Sequence, residues 1–292
     1  MPDSFTVDTV VRRIAQSLGA ALVESETAAL EDRPDGVHRH RTQVRRVRAV
    51  LAALRGILDP EENAPLEVAM REWGAQLGEV RDAEVRAQFA EEALEESGFG
   101  GDRAARARLV DADRAVYAQL HARLIELHAL PRAIRRAEAV RRFVEGPGVL
   151  DPGAPADEIV ADLLQHEGRR VRRAWKRRDG SMERYHDLRK AGRRLRYVAE
   201  AVDGVAPELA GEAGEQLAKA GRSVHDMLGD HRDALLFADR LVRVRVRAVR
   251  AGEPGAPYEA MIEAARERAA ARLAELPDAV REVRSAARGL PG

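Results

Sequence analysis

Apolar residues return every three to four positions along almost the whole chain, and alternation with period two is nearly absent. That pattern predicts an all-α protein. The helices fall at about 7–32, 36–58, 62–97, 101–128, 131–144, 156–178, 181–203, 207–228, 229–251, 255–275 and 278–288, separated by Gly- and Pro-rich breaks such as "EDRPDG", "LDPEENAP" and "AGEPGAP". The strongest break, Glu145 to Pro155, lies near the middle. It divides the chain into a first half, 1–145, a linker, 146–155, and a second half, 156–292.

Within 36–58, Val44, Val47, Leu51, Leu54 and Leu58 share one face, which marks the core side. Immediately beside it runs a second stripe, His38, Arg41, Arg45 and Arg48, whose spacings of three, four and three stack the side chains over roughly 15 Å. The stretch Val37–Leu51 holds five arginines, two histidines and no acid. Segment 181–203 carries the same device: His186, Arg189, Arg193 and Arg196 lie beside an apolar face of Leu188, Leu195, Ala199 and Val202. Its acids, Glu183, Asp187, Glu200 and Asp203, are placed off the ladder, and Arg39, Arg46 and Arg194 are placed toward solvent.

Like charges at these spacings repel and weaken a helix. Two acid-free ladders beside a core therefore point to a polyanion site. The competing explanation is that the arginines pair with acids of neighbouring helices, such as Glu79, Asp82, Asp230 or Asp233. Both hold if Asp82 and Asp233 orient arginines that also face a ligand.

The ladders belong to a longer internal repeat. "VHRHRTQVRRVRAVLAAL" (37–54) aligns without a gap on "YHDLRKAGRRLRYVAEAV" (185–202), and "LGEVRDA" (77–83) on "LGDHRDA" (228–234), in the same order and at similar separation. With the second block as anchor, Arg71 falls opposite Arg222. The halves are read as a duplicated helical unit with a pseudo-twofold relation.

Composition alters this picture little. Lys+Arg and Asp+Glu are both 49, so net charge identifies no partner and only charge placement is informative. Three of the 49 basic residues are lysines, a bias that GC-rich coding alone produces. With no cysteine, a disulfide scaffold, a thiolate metal site and a cysteine nucleophile are excluded, which fits a reducing compartment. No signal peptide and no apolar run of about 18 residues is seen, so the expectation is a cytoplasmic protein without a membrane span.

The paired blocks "VHRHRTQVRRVRAVL" with "LGEVRDAEV", and "YHDLRKAGRRLRYVAEAV" with "HDMLGDHRDALLFA", resemble the CHAD family, the conserved histidine α-helical domains, over about residues 7 to 285. The resemblance implies two four-helix bundles related by a pseudo-twofold axis, with a central basic channel that binds inorganic polyphosphate, and for some members an association with polyphosphate granules. It assigns His38, Arg41, Arg45 and Arg48 to one wall and His186, Arg189, Lys190, Arg193 and Arg196 to the other. Arg71, Lys219 and Arg222, ahead of the two LG motifs, form a second tier. Two positions depart from the family pattern: Thr42 stands for an aliphatic residue and His225 for a glutamine. The triphosphate-hydrolysing tunnel domain fused to some members has no counterpart, because no strand-rich segment exists.

The expected function is non-catalytic polyphosphate binding, with no cofactor and no metal. Arginine offers phosphate oxygens a planar fork of donors and stays charged. His38 and His186 would favour tighter binding at mildly acidic pH. Three rivals stand beside this. A metal-dependent phosphohydrolase needs a metal shared by His38 and His186 with a third acidic ligand, and the chain carries no P-loop, H-E-x-x-H or G-x-S-x-G motif. A nucleic-acid binder would use the same ladders, but aromatics for base stacking are scarce. A docking scaffold would use the runs "GRRVRRAWKRRDG" (168–180) and "RAIRRAEAVRRF" (132–143) as protein or anionic-lipid surfaces, which are otherwise solvated helix faces.

Overall fold

The computed structural model describes residues 5–290. These form α1 (Val7–Leu30), α2 (Gly36–Ala53), α3 (Pro60–Glu96), α4 (Arg103–Arg106), α5 (Ala112–His128), α6 (Pro131–Glu145), α7 (Ala156–Lys176), α8 (Met182–Asp203), α9 (Pro207–Arg250) and α10 (Ala256–Ala286). No strand forms among the described residues; there are only two isolated bridges. No described helix is long and apolar enough to cross a membrane.

Local chemistry sets several helix starts. The Asp59 carboxylate accepts from the Glu61 and Glu62 amides while Pro60 opens α3, where its missing N–H costs nothing. Thr6 and Ser181 cap α1 and α8 in the same manner. Other boundaries depart from the periodicity. The helices expected at 207–228 and 229–251 are one helix, α9, kinked near its start at Gly211. Those expected at 255–275 and 278–288 are also one, running through Pro277. Packing of α9 on α10 over their lengths outweighs the local breakers. In 101–128 the pattern is interrupted by a π-turn at Ala107–Asp111, where the Arg240 guanidinium donates to the Leu109 carbonyl (3.0 Å) and takes it out of regular helix bonding. α2 ends at Ala53 in a 3₁₀ turn, Leu54–Gly56.

In the first half α2 packs on α1 and α3, and α3 on α5 and α6; in the second α8 packs on α7 and α9, and α9 on α10. The two sets meet where α2 lies against α8. Both predicted core stripes are buried, from Val44, Val47 and Leu51 to Leu188, Leu195 and Val202. They belong to one hydrophobic cluster that runs through both halves, from Val7 to Leu290. A second cluster, with Leu94, Leu109, Phe237, Leu241 and Tyr258, ties the far end of α3 to α9 and α10. The segment between α6 and α7 is held against the first half: Val149 bridges Leu58, Asn63 donates to the Pro147 carbonyl (2.8 Å), and the Val7 amide donates to the Ala154 carbonyl (2.9 Å).

His40 is the polar pin of the first half. It is 2 % exposed, accepts from the Trp73 indole N–H at Nε2 (2.7 Å) and lies 2.9 Å from Ser25 Oγ at Nδ1. An accepting Nε2 requires the proton on Nδ1, hence a neutral ring donating to Ser25. Ser25 in turn donates to the Ala21 carbonyl (2.7 Å). Burial pushes the His40 pKa down to about 4. The folded state therefore refuses a proton that the unfolded chain accepts below about 6.5. Stability from this group is complete above that value and falls as pH drops toward 4. Between about pH 7 and about pH 5 the loss is about 2 kcal/mol. Urea titrations at the two pH values should show it, and His40→Gln should remove about that much of the difference.

Candidate functional site

Because α2 and α8 pack together, the two ladders face each other. Arg45 lies opposite Arg193, and Arg41 and Arg189 also act on it; Arg193 lies near Arg189, Arg48 and Arg41. The Arg45 and Arg193 guanidiniums are held below the ordinary arginine range, first by burial and then by each other's charge or that of a neighbouring arginine. They remain cationic at neutral pH. Beyond them a cleft of about 180 Å³ opens between α3 and α9, lined by Arg41, Arg45, Arg86, Arg189, Arg232 and Arg240 with only Asp82 and Asp233 as acids.

Ion pairing is uneven along the ladders. Arg41 meets Asp82 at 3.2 Å. Arg196 meets Glu200 at 2.9 Å and Asp226 at 3.6 Å, and Arg222 shares Glu200 at 2.7 Å. Burial lowers the Arg196 pKa, but the Glu200 bond outweighs it and the group ends above its ordinary value. The middle rungs differ. Among the described residues Arg45, Arg48, Arg189 and Arg193 form no ion pair, and Arg189 Nε is buried without a hydrogen-bond partner. Such groups normally pair when desolvated. Arg45 and Arg193 are half-buried with no acid between the two helices, Arg48 is exposed beside them, and Arg189 feels Asp233 without pairing to it, an arrangement suited to receiving an anion.

A model of the CHAD domain matches residues 13–242. The chain belongs to the CHAD domain family. It is 28% identical over 294 residues to two proteins of Mycobacterium tuberculosis, "Uncharacterized protein MT2285" and "Uncharacterized protein Rv2226". The match covers 95% of this chain and 55% of each of theirs, so the chain spans about half the length of these curated relatives. Among solved structures, PptA from Streptomyces chartreusis superposes with a TM-score of 0.74 at 17% identity, covering 95% of this chain and 100% of that one. The CHAD domain from the plant Ricinus communis gives 0.60 at 20% identity, covering 100% and 94%. At these identities the likeness is one of fold.

The second tier of this CHAD domain is less concentrated than its ladders. Arg71 lies near Arg48 and adds to the charge there. Lys219 pairs with Glu215 at 2.6 Å along its own exposed helix face, and Lys190, assigned to the wall of the second half, pairs with Asp187 at 3.4 Å beside His186. Three placements are corrected. Arg46 does not stand free in solvent: it is half-buried, and its Nε is buried without a hydrogen-bond partner. Glu200 is not off the ladder: it sits four residues beyond Arg196, on the same stripe, and neutralises it. Arg194 does not point to solvent: it pairs at 2.7 Å with Glu167, which is fully buried on α7. The shared metal for His38 and His186 needs a third ligand, and no trio of His, Asp and Glu able to hold a metal forms among the described residues.

The structure also adds residues. His225 Nε2 lies 3.5 Å from Arg45 Nη2 and its Nδ1 lies 2.9 Å from Asp226. Burial pushes its pKa down to about 4. The neutral ring therefore accepts from Arg45 and donates to Asp226, steering Arg45 without cancelling its charge. Arg81, paired with Glu84 at 2.8 Å, flanks His38. The repeated LG motif gains a reason as well. A Cβ on Gly229 would lie 3.3 Å from Arg189 Nη2, and one on Gly78 would lie 3.5 Å from Arg41 Nη2. Both glycines lie directly against the guanidinium of their own half, and at Gly229 a Cβ would be tight enough to press on Arg189.

The pairing pattern predicts the effect of Glu200→Gln. It frees Arg196 and Arg222, should cost about 1–2 kcal/mol of stability, and should tighten tripolyphosphate binding several-fold. Calorimetric titration alongside thermal unfolding measures both.

Proposed function

We propose that this CHAD domain binds inorganic polyphosphate along the facing ladders and does so without turnover. The observation that carries the proposal is the set of four unpaired, facing arginines, Arg45, Arg48, Arg189 and Arg193. A string of phosphates supplies one anion per unit, so it can answer several rungs at once. A compact nucleotide answers two or three. The aromatic rings near the ladder are engaged in packing: Tyr197, beside Arg45 and Arg193, is 2 % exposed, and Phe89 and Phe237, which line the cleft, pack edge to face on each other. Binding of this kind would tie the chain to polyphosphate granules and would need no cofactor.

Replacing Arg45 and Arg193 by Met separates binding from folding. The double variant should lose at least tenfold in polyphosphate affinity yet unfold at a higher temperature, because two repelling, desolvated charges are gone. For the unaltered chain, log K against log salt should fall with a slope of about −3 for four phosphate contacts. A stability loss without an affinity loss would assign the arginines to the scaffold.

The histidines make the binding pH-dependent. Burial lowers the pKa of both; Arg81 and Arg45 oppose His38 protonation while Asp35 and Glu84 favour it, and Lys190, Arg232, Arg189 and Arg193 oppose that of His186. Both rings are neutral at pH 7 in the free protein. A bound polyanion favours the charged form, so protons are taken up on binding and affinity rises as pH falls below about 6.5, up to about tenfold per histidine for a one-unit shift. His38→Gln with His186→Gln should flatten this profile while leaving affinity at pH 8 within about twofold.

A further inference from the structure

The second half of α7 carries a basic face that the ladders do not use. Arg169, Arg170, Arg172, Arg173, Lys176 and Arg177 are all exposed, and no acid interrupts the stretch. At about 100° per residue the six occupy one continuous arc of about 160°, opposite the buried Val160, Leu164, Glu167 and Val171. Elsewhere exposed arginines pair along their own helices, as Arg141 does with Glu138 and Glu145. Among the described residues none of these six forms an ion pair; Arg169 only donates to the Gln165 amide oxygen. An unrelieved charge of six on under three turns is costly to keep without a partner.

Arg55 lies seven residues beyond Arg48, on the same stripe of the α2 helix and its 3₁₀ extension. Arg194 of α8 feels both Arg55 and Arg170, the edge of the α7 arc. Arg55 and Arg194 are each held by an acid, Glu67 at 3.3 Å and Glu167 at 2.7 Å, so the ladder and the unpaired α7 face are two separate positive tracts with these paired residues between them. The apolar side of α7 is buried in the core, so the helix has nothing to insert into a bilayer, and the arc holds no aromatic ring for a base.

Resting on the ladder reading above, we propose that the basic face of α7 is a second contact tract for the same linear polyanion once it leaves the ladder at its Arg48 end. A short oligophosphate fills the ladder alone; a long chain engages both tracts and gains affinity through their linkage.

The test is a full-length variant carrying Arg169→Gln, Arg172→Gln, Arg173→Gln and Lys176→Gln, titrated with an oligophosphate short enough to fit the ~15 Å ladder and with long-chain polyphosphate. Short-chain affinity should stay within about twofold of the unaltered chain, which also reports an intact fold. Long-chain affinity should fall at least tenfold, and the long-chain salt slope should lose about 3 units for four contacts. Unchanged long-chain affinity and slope would overturn the tract. Equal losses for both lengths would also overturn it, by showing a diffuse field instead of a separate contact. A loss confined to phosphatidylserine vesicles would give the face to a lipid surface and overturn it too. If the unaltered chain binds neither length, the ladder reading fails and takes the tract with it.

Discussion

The repulsion between facing arginines of α2 and α8 is the constraint around which this molecule is arranged. Neighbouring cations at a half-buried site repel by on the order of a few kcal/mol. Nothing between the two helices offsets this, because the middle rungs have no acid partner. The offset lies underneath. Val44 and Val47 on one helix and Leu188 and Leu195 on the other sit within one residue of the rungs, Leu51 and Ala199 lie about one turn beyond the last of them, and all are buried almost completely. Each large aliphatic contributes about 1.5–3 kcal/mol. The adjacency of the stripes is thus energetic as well as geometric: the core that α2 and α8 share holds together the charges they also share.

Overall neutrality does not erase the local field. The 49 acids that balance the 49 bases are spread along the chain, and at physiological salt the influence of exposed ones fades within about 8 Å. Acids that do approach the ladders stand at their margins, Asp82 at Arg41 and Glu200 with Asp226 at Arg196. Their placement holds the flanking guanidiniums in position while the centre stays open. Arg45 is managed differently, by a neutral histidine that is itself fixed by Asp226. Here the fold gains orientation without neutralisation, which a direct carboxylate contact would not allow.

Much of this was legible along the chain because the ladders are a local, helical property. Spacing alone placed His38, Arg41, Arg45 and Arg48 beside the core, and the repeat supplied the second set. Glu200 was within reach of the same rule, since it lies four residues from Arg196, but the stripe was ended one turn early. Other features depend on distant parts of the chain. Arg194 looks solvent-directed until α7 delivers Glu167, and His225 looks like a packing substitution until α9 brings it to Arg45. The LG blocks were visible as a repeat, yet their purpose appears only when Gly78 and Gly229 lie against Arg41 and Arg189. Helix ends failed where tertiary packing overrode a local breaker, as at Pro277.

Each ladder begins with a histidine, and the reason follows from the charge distribution. His38 and His186 keep part of their surface in solvent, whereas Arg41, Arg45, Arg189, Arg193 and Arg196 behind them are half-buried. A fourth arginine at these positions would add a permanent charge to a row that already lacks counterions. A histidine whose pKa is lowered by burial and by those same arginines adds none while the site is empty. Under the polyphosphate reading proposed above, it would acquire a proton only when an arriving anion repays the repulsion, so the free protein would carry less strain than the complex has positive charge to offer.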